Sequence, residues 1–471
     1  IFMKPLIEEA KESEEEDLSA KPDETMPKDS FRYYFQTGFE DLETGPNKNS
    51  DVFNFNKIDN SDLVNSGKDD KDKRSQASYY FLTFSPDQVI TQFDIGYFNT
   101  PYLPYRQGEN SINSPGLRGL SRIAISDRFK DYRLEAGARP SISFNSIDVF
   151  ARYENVKRRI DKEVFFFRTS NRYFTDTANI KSINQELRAT YKYPFSEIAR
   201  IGITGFLRED TEAELATERN TLESSPNTTY WFGGKAEFVF DNSIEDGTNI
   251  IYGTKMKFYY EHYNQFLGSK ALNIVGGDLR HYQKIYRVFI WANRFAFASS
   301  LGNQKVVYFL GGTENWMVPR FNSEINVDEE IDYIYKSAAV NLRGFRQNIR
   351  NGASYAVANS ELRLPVFRFF SNKPLKSSFL ENFQVIGFAD AGVAFNGLSP
   401  FSEDNAFNKK IFYADPVKIE RWSLRKPIVG GYGFGLRSNL MGYFVRLDWA
   451  WGLESGIEPE RRFYLSIGTD F

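Results

Sequence analysis

Residues 341–367 read NLRGFRQNIRNGASYAVANSELRLPVF, and the second half of this stretch alternates between apolar and polar side chains. One side of an extended chain would carry Leu362, Leu364 and Val366, and the other side would carry Asn359, Glu361 and Arg363. Successive side chains of a β-strand point to opposite faces. The stretch therefore predicts a strand that separates an apolar environment from an enclosed polar one.

The composition of the whole chain points the same way. Aromatic residues make up 16% of the 471 positions and charged residues 26%, and the mean hydropathy is negative. No run approaches the roughly 20 apolar residues that a membrane helix needs. In a transmembrane β-barrel, lipid-facing and lumen-facing residues alternate, so averaging hides the apolar face. Apolar faces rich in Phe, Tyr and Trp favour such a barrel over a large soluble β-protein.

The same alternation recurs from residue 79 to residue 471, for example in YRLEAGAR (132–139), YGTKMKFYYE (252–261) and GYFVRLDWAWG (442–452). About 16 such runs, separated by turn-rich pieces, predict an all-β chain that folds as a transmembrane antiparallel β-barrel. We assign residues 76–471 to this barrel. The long segment 311–352 is predicted to fold inward as a plug.

Residues 1–75 differ from the rest of the chain. The charge runs EEAKESEEED (8–17) and GKDDKDKRSQ (67–76) offer no apolar face to bury, which predicts an acidic, largely disordered periplasmic linker. Between these runs, residues 30–41 read SFRYYFQTGFED. They form either a sticky patch on a tether or a segment that docks on the barrel or a partner. The candidate docking residues are Phe31, Tyr33, Tyr34, Phe35 and Phe39.

Two inward carboxylates are predicted on neighbouring strands. Parity in NFQVIGFADAGVAF (382–395) turns Asp390 to the same side as Glu361. Carboxylates placed close together in a partly dry lumen repel each other and require a cation. Arg343 can supply one if its loop folds back into the barrel, because a guanidinium binds carboxylates through two donors. Gly344 would permit a close backbone approach, and Phe345 would pack on the inner wall. The other predicted lumen partners are Arg363, Phe388 and Gly392.

Several of these motifs resemble one family. NLRGF (341–345) resembles the (V/I/L)RGF tip of the sixth extracellular loop in the BamA/TamA-like superfamily of surface-antigen barrels, and GFADAG (387–392) resembles its F-x-D-x-G motif. GGYGFGLRSNL (430–440), YFVRLDWAWGL (443–453) and FYLSIGTDF (463–471) follow in the same order as in that superfamily. The N-terminal half, with YYFLTFSPDQVITQFD (79–94), resembles barrels that follow a TolB-like propeller. Neither a propeller nor a POTRA repeat is apparent in residues 1–75.

The resemblance implies a location in the outer membrane of a Gram-negative cell. It also implies insertion or translocation of outer-membrane or secreted proteins through lateral opening of the barrel. The partners would be outer-membrane lipid and lipopolysaccharide, client proteins, and periplasmic or outer-membrane accessory proteins. The opening would lie at the seam, which is the junction between the first strand, near residues 79–84, and the last strand. The predicted seam residues are Phe81, Thr83, Pro86, Leu465, Gly468 and Phe471.

Parity in the last strands predicts which residues face lipid. The lipid-facing set is Tyr443, Trp449, Trp451, Phe463 and Phe471. Arg446 and Asp448 are predicted to face the lumen, where replacing Asp448 by Asn should have little effect on folding. A charge introduced on the lipid-facing side of the same strand should be costly.

Two other functions compete with insertion. A scaffold barrel would keep this fold and hold a partner complex at the outer membrane, and a porin would need an open lumen. Catalysis is not expected, because the chain lacks cysteine, a G-x-S-x-G elbow and a P-loop. Its two histidines, His262 and His281, lack a third ligand at a suitable spacing, so we expect no metal or other cofactor. A net charge of −3 gives no reason to expect nucleic acid.

Overall fold

The computed structural model describes residues 82–94, 102–106, 117–142, 144–174, 179–215, 225–371, 375–403, 405–414, 417–422, 425–454 and 461–471. The predicted linker (1–75) and its aromatic docking residues lie outside the described residues. Most of the described residues lie in β-strands, as the alternating pattern predicts.

Sixteen strands of the described chain form one antiparallel sheet that makes up the barrel wall. Each wall strand pairs with the next wall strand along the chain. Their bounds are β1 (Phe84–Asp94), β3 (Arg118–Asp127), β4 (Tyr132–Pro140), β5 (Ile147–Asn155), β6 (Asp161–Phe174), β7 (Asn179–Pro194), β8 (Ala199–Leu215), β9 (Asn227–Asp241), β11 (Ile251–Gln265), β12 (Ala271–Tyr286), β13 (Phe289–Gly302), β17 (Ser354–Pro365), β18 (Gln384–Phe395), β21 (Val429–Leu440), β22 (Tyr443–Leu453) and β23 (Arg462–Ile467). An all-β barrel of about 16 strands is therefore the observed fold class.

The wall alternates as predicted. In β18, Gln384, Phe388 and Asp390 are buried, whereas their neighbours Val385 and Ala389 are exposed. In β22, Arg446 and Asp448 are buried, and Leu447 between them is partly exposed on the outer face. The outer face near the end of the chain carries stacked rings, with Tyr432 and Phe434 lying against Trp451 and Trp449. Aromatic side chains of this kind suit the boundary between hydrocarbon and headgroups.

The prediction is wrong at the end of β17. Parity assigned Val366 to the lipid face, but β17 ends at Pro365 and Val366 begins a short helix, α1 (Val366–Phe370). Proline cannot donate a ladder hydrogen bond, so it commonly marks the end of a strand. A second short helix, α2 (Ser378–Glu381), precedes β18. Within the described residues, no α-helix is long and apolar enough to cross a membrane.

The long segment between β13 and β17 folds into a separate small sheet. This plug sheet contains β14 (Lys305–Leu310), β15 (Tyr333–Ala339), β16 (Arg350–Gly352) and a short strand from the first long connection, β2 (Leu103–Pro104). β14 and β15 run parallel, and Tyr335 of β15 pairs with Pro104 of β2. The predicted plug is thus present, and it also recruits residues that follow the first wall strand.

The plug sheet packs on the wall through a mixed apolar and polar interface. Tyr308, Tyr335 and Phe345 share one buried cluster with wall residues that include Phe206 and Tyr263. At its edge, the hydroxyl of Tyr335 donates to Asp210 Oδ2 at 2.5 Å. Close packing of this kind excludes water from the part of the lumen that the cluster fills.

Smaller elements complete the described chain. β10 (Ile244–Glu245) pairs with the start of β11. A two-stranded hairpin of β19 (Lys409–Ala414) and β20 (Val417–Trp422) lies in the connection between β18 and β21.

Candidate functional site

The loop tip, residues 343–345, lies inside the barrel against β18. Arg343 donates to both carboxylate oxygens of Asp390, from Nε at 2.7 Å and from Nη2 at 2.8 Å. The backbone N–H of Arg343 adds a third bond to the same carboxylate, at 3.1 Å. The contact predicted between these two side chains is therefore present, in the two-pronged geometry that a guanidinium allows and a lysine does not.

Glu361 completes the charge pairing of Arg343. The Nη1 atom of Arg343 lies 2.7 Å from Glu361 Oε1, and Arg363 donates from Nε to the other oxygen of Glu361 at 2.9 Å. The Arg343 guanidinium also lies 3.5 Å from the ring centroid of Phe388. Two cations thus meet two anions in a site where all four side chains are at most 2% exposed. Buried charges are tolerated when they are paired and hydrogen-bonded in this way.

Asn359 orients the carboxylate of Asp390. Parity placed Asn359 in the lumen, but no role was predicted for it. Asn359 lies directly opposite Asp390 in the register of β17 and β18. Its side-chain amide donates to Asp390 Oδ1 and to the carbonyl oxygen of Asn341, both at 2.8 Å. Asn359 therefore ties the wall to the loop two positions before Glu361 on the same face of β17. Gly392, the next inward residue along β18, lies beneath Leu310 of the plug sheet.

Gly344 and Phe345 fill the space beside β22. Gly344 adopts a φ of 99°, and a Cβ atom there would lie 2.7 Å from the carbonyl oxygen of Trp451. Only glycine takes up both this backbone conformation and this close approach without strain. Phe345 is buried, and its ring lies where a side chain on Gly452 would otherwise project. Both residues occupy the positions predicted from the sequence.

Tyr464 of the last strand holds the loop tip and was not among the predicted site residues. Its hydroxyl accepts a hydrogen bond from the Gly344 N–H at 2.9 Å and donates to the Phe345 carbonyl at 2.7 Å. Parity in FYLSIGTDF already turns Tyr464 inward, opposite to Phe463. Parity does not predict which part of the loop backbone the Tyr464 hydroxyl contacts.

The seam edge of β23 pairs with the long loop. Trp316 forms an isolated antiparallel bridge with Ser466, and the Met317 N–H donates to the Leu465 carbonyl at 3.0 Å. The opposite edge of β23 pairs with β22, where Leu447 faces Leu465. Within the described residues, no register pairs β23 with β1. At the predicted junction of the first and last strands, the described residues therefore show a contact between β23 and the loop and no ladder.

The first strand departs from its predicted position. It begins at Phe84 rather than near residue 79, so Thr83 precedes it and Phe81 lies outside the described residues. Pro86 lies within β1 at a register irregularity against β3. A proline has no N–H to give to the ladder, which accounts for the bulge. A described contact from β1 to the last strands is the Phe93 N–H donating to the Tyr443 hydroxyl at 2.9 Å.

The prediction that Phe471 faces lipid is wrong. β23 ends at Ile467, and Gly468, with a φ of 119°, turns the tail (residues 468–471) away from the strand direction. Phe471 is 1% exposed and packs in a buried cluster with Ile250, Ile251, Tyr282, Ile290 and Ala292. Its carbonyl accepts a hydrogen bond from Arg363 Nη2 at 3.0 Å. Phe471 is accordingly a lumen residue and not part of an open seam.

Asp470 of the tail forms a second balanced charge cluster. It accepts from Arg437 Nε at 2.9 Å and from Arg446 Nη1 at 3.2 Å, and Arg437 also donates to Asp448 at 2.8 Å. Asn249 links this cluster to the first one, since it donates to Asp470 and accepts from Arg363. The loop tip, β17 and the tail are thus joined by one buried polar network.

Comparisons with known proteins add a likeness in fold. No protein-family model matches the sequence, and no curated protein matches it. BamA from Haemophilus ducreyi lacking POTRA domains 1–3 is similar at 12% identity over 83% of this chain and 76% of that chain, with a TM-score of 0.47. CdiB from Acinetobacter baumannii is similar at 12% identity over 76% of this chain and 58% of that chain, with a TM-score of 0.44. CdiB from Escherichia coli is similar at 10% identity over 82% of this chain and 68% of that chain, with a TM-score of 0.41. These scores carry no conclusion about family or activity, so the functional assignment depends on the contacts of this chain's own residues.

Proposed function

We propose that this chain is an outer-membrane barrel of the BamA/TamA-like superfamily that inserts or translocates outer-membrane or secreted proteins by lateral opening. The observation that carries the proposal is the loop tip. Arg343 enters the lumen and is held by Asp390 and Glu361 on two adjacent wall strands. The tip also bonds Tyr464 of the last strand, which borders a seam without a described ladder. A loop fastened beside a weakly paired seam is suited to control the opening of that seam.

The membrane assignment follows from the two faces of the wall. Large apolar side chains such as Val89, Leu207 and Phe463 are exposed on the outside, whereas Arg208, Arg437 and Asp448 are buried inside. In hydrocarbon, every backbone polar group must be paired, and a barrel achieves this. Outer-membrane lipid and lipopolysaccharide are therefore the proposed surroundings of the wall.

The proposed activity requires no chemical step and no cofactor. An unpaired strand edge is a template on which another extended chain can add by backbone hydrogen bonds. An arriving client strand would extend β1 or β23 and then leave with its own barrel completed. Accessory proteins, periplasmic or in the outer membrane, would deliver clients. The aromatic residues of segment 30–41 are proposed as one docking point on the basis of their composition alone.

Two alternatives remain distinguishable. A scaffold barrel would use the same fold but leave its seam shut while holding a partner complex. A porin is disfavoured by the apolar cluster that joins Tyr308 and Tyr335 of the plug sheet to the wall. Water-filled porins leave a polar aqueous channel, so a porin reading predicts a large, steady ion conductance in planar bilayers that insertion does not.

Depletion of the protein followed by quantification of the outer-membrane proteome tests the proposal in cells. Insertion predicts a broad loss of barrel proteins or of secreted clients. Loss of a single complex, with other barrels at normal levels, would favour the scaffold instead.

A cysteine scan tests lateral opening directly, because the chain contains no natural cysteine. Cysteines placed along β1 are combined with cysteines at Phe463 or Leu465 of β23 and joined by a reducible bis-maleimide. A closed seam should abolish client assembly in proteoliposomes, and reduction should restore it. Normal assembly by a fully crosslinked barrel would exclude lateral opening.

A further inference from the structure

Residues 314–317 of the long loop, with the sequence ENWM, lie along the seam edge of the last strand. The Met317 N–H donates to the Leu465 carbonyl at 3.0 Å, and Trp316 pairs with Ser466. At the other end of the segment, the Glu314 carbonyl accepts a hydrogen bond from Arg446 Nη2 at 2.5 Å. The segment is thus held as a short extended piece on the edge that a neighbouring strand would occupy.

An aromatic slot lies beside this edge. The Trp316 ring meets the Tyr464 ring edge-on at 4.8 Å. Trp316 also packs on a buried cluster of Phe388, Ala450 and Tyr464. The next residues along the loop are more exposed, Met317 at 36% and Val318 at 67%. At the seam edge itself, the segment is therefore anchored by one indole ring and one backbone hydrogen bond, in addition to the hydrogen bond from Arg446 to the Glu314 carbonyl.

We infer that the seam edge of β23 is a peptide-binding site for an extended segment that carries an aromatic side chain, and that residues 314–317 occupy this site in the resting protein. The inference rests on the proposed function only for its biological ligand, which would be a strand of a client protein. The recognition itself follows from the contacts: the Leu465 carbonyl binds the main chain, and the Tyr464 slot receives the ring.

The occupant is suited to exchange. An isolated bridge supplies little pairing, whereas β23 runs from Arg462 to Ile467 and could pair over its full length. Each added ladder bond favours the longer strand. The attachment of the loop to the same chain opposes this by keeping its local concentration high. To displace the loop, a ligand must therefore pair with more residues of β23 than the loop does. An extended segment can form these additional backbone hydrogen bonds.

A matched pair of variants isolates the backbone bond. Met317→Pro deletes the N–H that reaches Leu465, whereas Met317→Ala keeps it and removes only the exposed side chain. The probe is a synthetic peptide of residues 313–319, TENWMVP, that carries a benzophenone, and its control has Ala in place of Trp. Photo-crosslinking to the folded, purified barrel is quantified and mapped by mass spectrometry. Heat-modifiable migration in gels verifies that each variant is folded.

Loss of one hydrogen bond predicts a rise in peptide capture of roughly two- to tenfold for Met317→Pro. Met317→Ala should capture as little peptide as the natural chain, and the crosslinks should map to β23. Equal capture by the two variants would overturn the inference. Capture of the Ala peptide as efficiently as the Trp peptide would also overturn it, because the aromatic slot would then have no role.

A disulfide supplies the converse test. Residues that face each other across an antiparallel bridge have Cα atoms about 4.5–5.5 Å apart, within the range that a disulfide spans. The oxidised double variant Trp316→Cys, Ser466→Cys should lose peptide capture, and reduction should restore access to the edge. Undiminished capture in the oxidised form would contradict occupation of the site by the loop.

Client assembly by the same preparations separates this inference from the proposed function. Peptide capture at β23 without any assembly of a client barrel in proteoliposomes would support the site and overturn the insertion function. Assembly without capture would support the function and overturn the site.

Discussion

The hydroxyl of Tyr464 joins the last wall strand to the tip of the inward loop, because it donates to the Phe345 carbonyl at 2.7 Å and accepts from the Gly344 N–H. One side chain thereby satisfies two backbone groups that are buried away from water. A buried backbone group without a hydrogen-bond partner is costly. The loop can therefore leave the lumen only if the Gly344 N–H and the Phe345 carbonyl find new partners.

Tyr464→Phe should loosen the loop tip while preserving the ring. It leaves the Gly344 N–H and the Phe345 carbonyl without this partner, at a cost of about 1–3 kcal/mol for each buried group. We expect faster proteolysis within the long loop and a lower denaturation midpoint. Tyr191→Phe is the control, because Tyr191 is 54% exposed on the outer face. Equal proteolysis of the two variants would contradict the clamp.

Arg343→Ala should destabilise the barrel by about 3–5 kcal/mol, because it leaves Asp390 and Glu361 buried with one cation fewer. Arg343→Lys should recover only part of this stability, since an ammonium group cannot reproduce the two-pronged contact. Denaturant unfolding of the purified barrel measures both effects. Arg346→Ala, three positions along the same loop and exposed, should unfold like the natural protein; a comparable loss there would point to the loop as a whole.

Leu447→Arg should reduce the yield of folded barrel in membranes. Leu447 lies on the outer face between Leu436 and Leu465 of the adjacent strands. Arginine near the bilayer midplane costs roughly 2–4 kcal/mol, falling to about 0–1 kcal/mol near the interfaces. Leu453→Arg, at the end of the same strand, should therefore fold nearly normally. Similar yields for both variants would show that the assigned depth is wrong.

Asp448→Asn should also be harmful, contrary to the expectation from sequence. The carboxylate is fully buried and accepts a hydrogen bond from Arg437 Nη2 at 2.8 Å. The amide oxygen of Asn can still accept this hydrogen bond, but the charge is lost, and we expect a cost of about 1.5–3 kcal/mol, the range for hydrogen bonds to charged groups. Denaturant unfolding should show this loss for Asp448→Asn and none for Glu324→Gln, an exposed loop position. A silent Asp448→Asn would mean that Asp470 alone suffices for Arg437.

Phe471→Ala should destabilise the barrel far more than Phe463→Ala. Phe471 fills a buried pocket with Tyr282 and Ile290, and truncation of such a ring costs about 3–5 kcal/mol. Phe463 is 51% exposed on the outer face. The two unfolding midpoints, measured in the same detergent, make the comparison. A larger loss for Phe463→Ala would restore the lipid-facing assignment of the tail.

Residue alternation predicted most of the wall correctly, because a strand of period two leaves each side chain only one of two environments. It correctly placed Asp390, Glu361 and Arg446 inside the barrel. It failed where the backbone leaves the strand although the sequence continues to alternate, as at Val366 after Pro365 and at Phe471 after Gly468. Parity within one strand carries no information about such departures.

The contacts of the long loop were predicted only in part, for a different reason. The pairing of Arg343 with Asp390 could be inferred because two buried carboxylates need a cation. The clamp by Tyr464 and the bridge from Trp316 to Ser466 join segments far apart in sequence. No local pattern specifies which loop backbone will meet an inward tyrosine or an open strand edge. Both contacts are therefore evident only in the folded structure.

The plug sheet is attached to both sides of the seam. On one side, β2 follows the first wall strand closely in the chain and is hydrogen-bonded to β15. On the other side, Trp316 and the loop tip are fastened to the last strand through Ser466 and Tyr464. The plug sheet and the two strands that flank the seam are therefore connected to one another. Under the proposed lateral opening, we expect a displacement of either flank of the seam to displace the plug sheet, and a displacement of the plug sheet to act on both flanks.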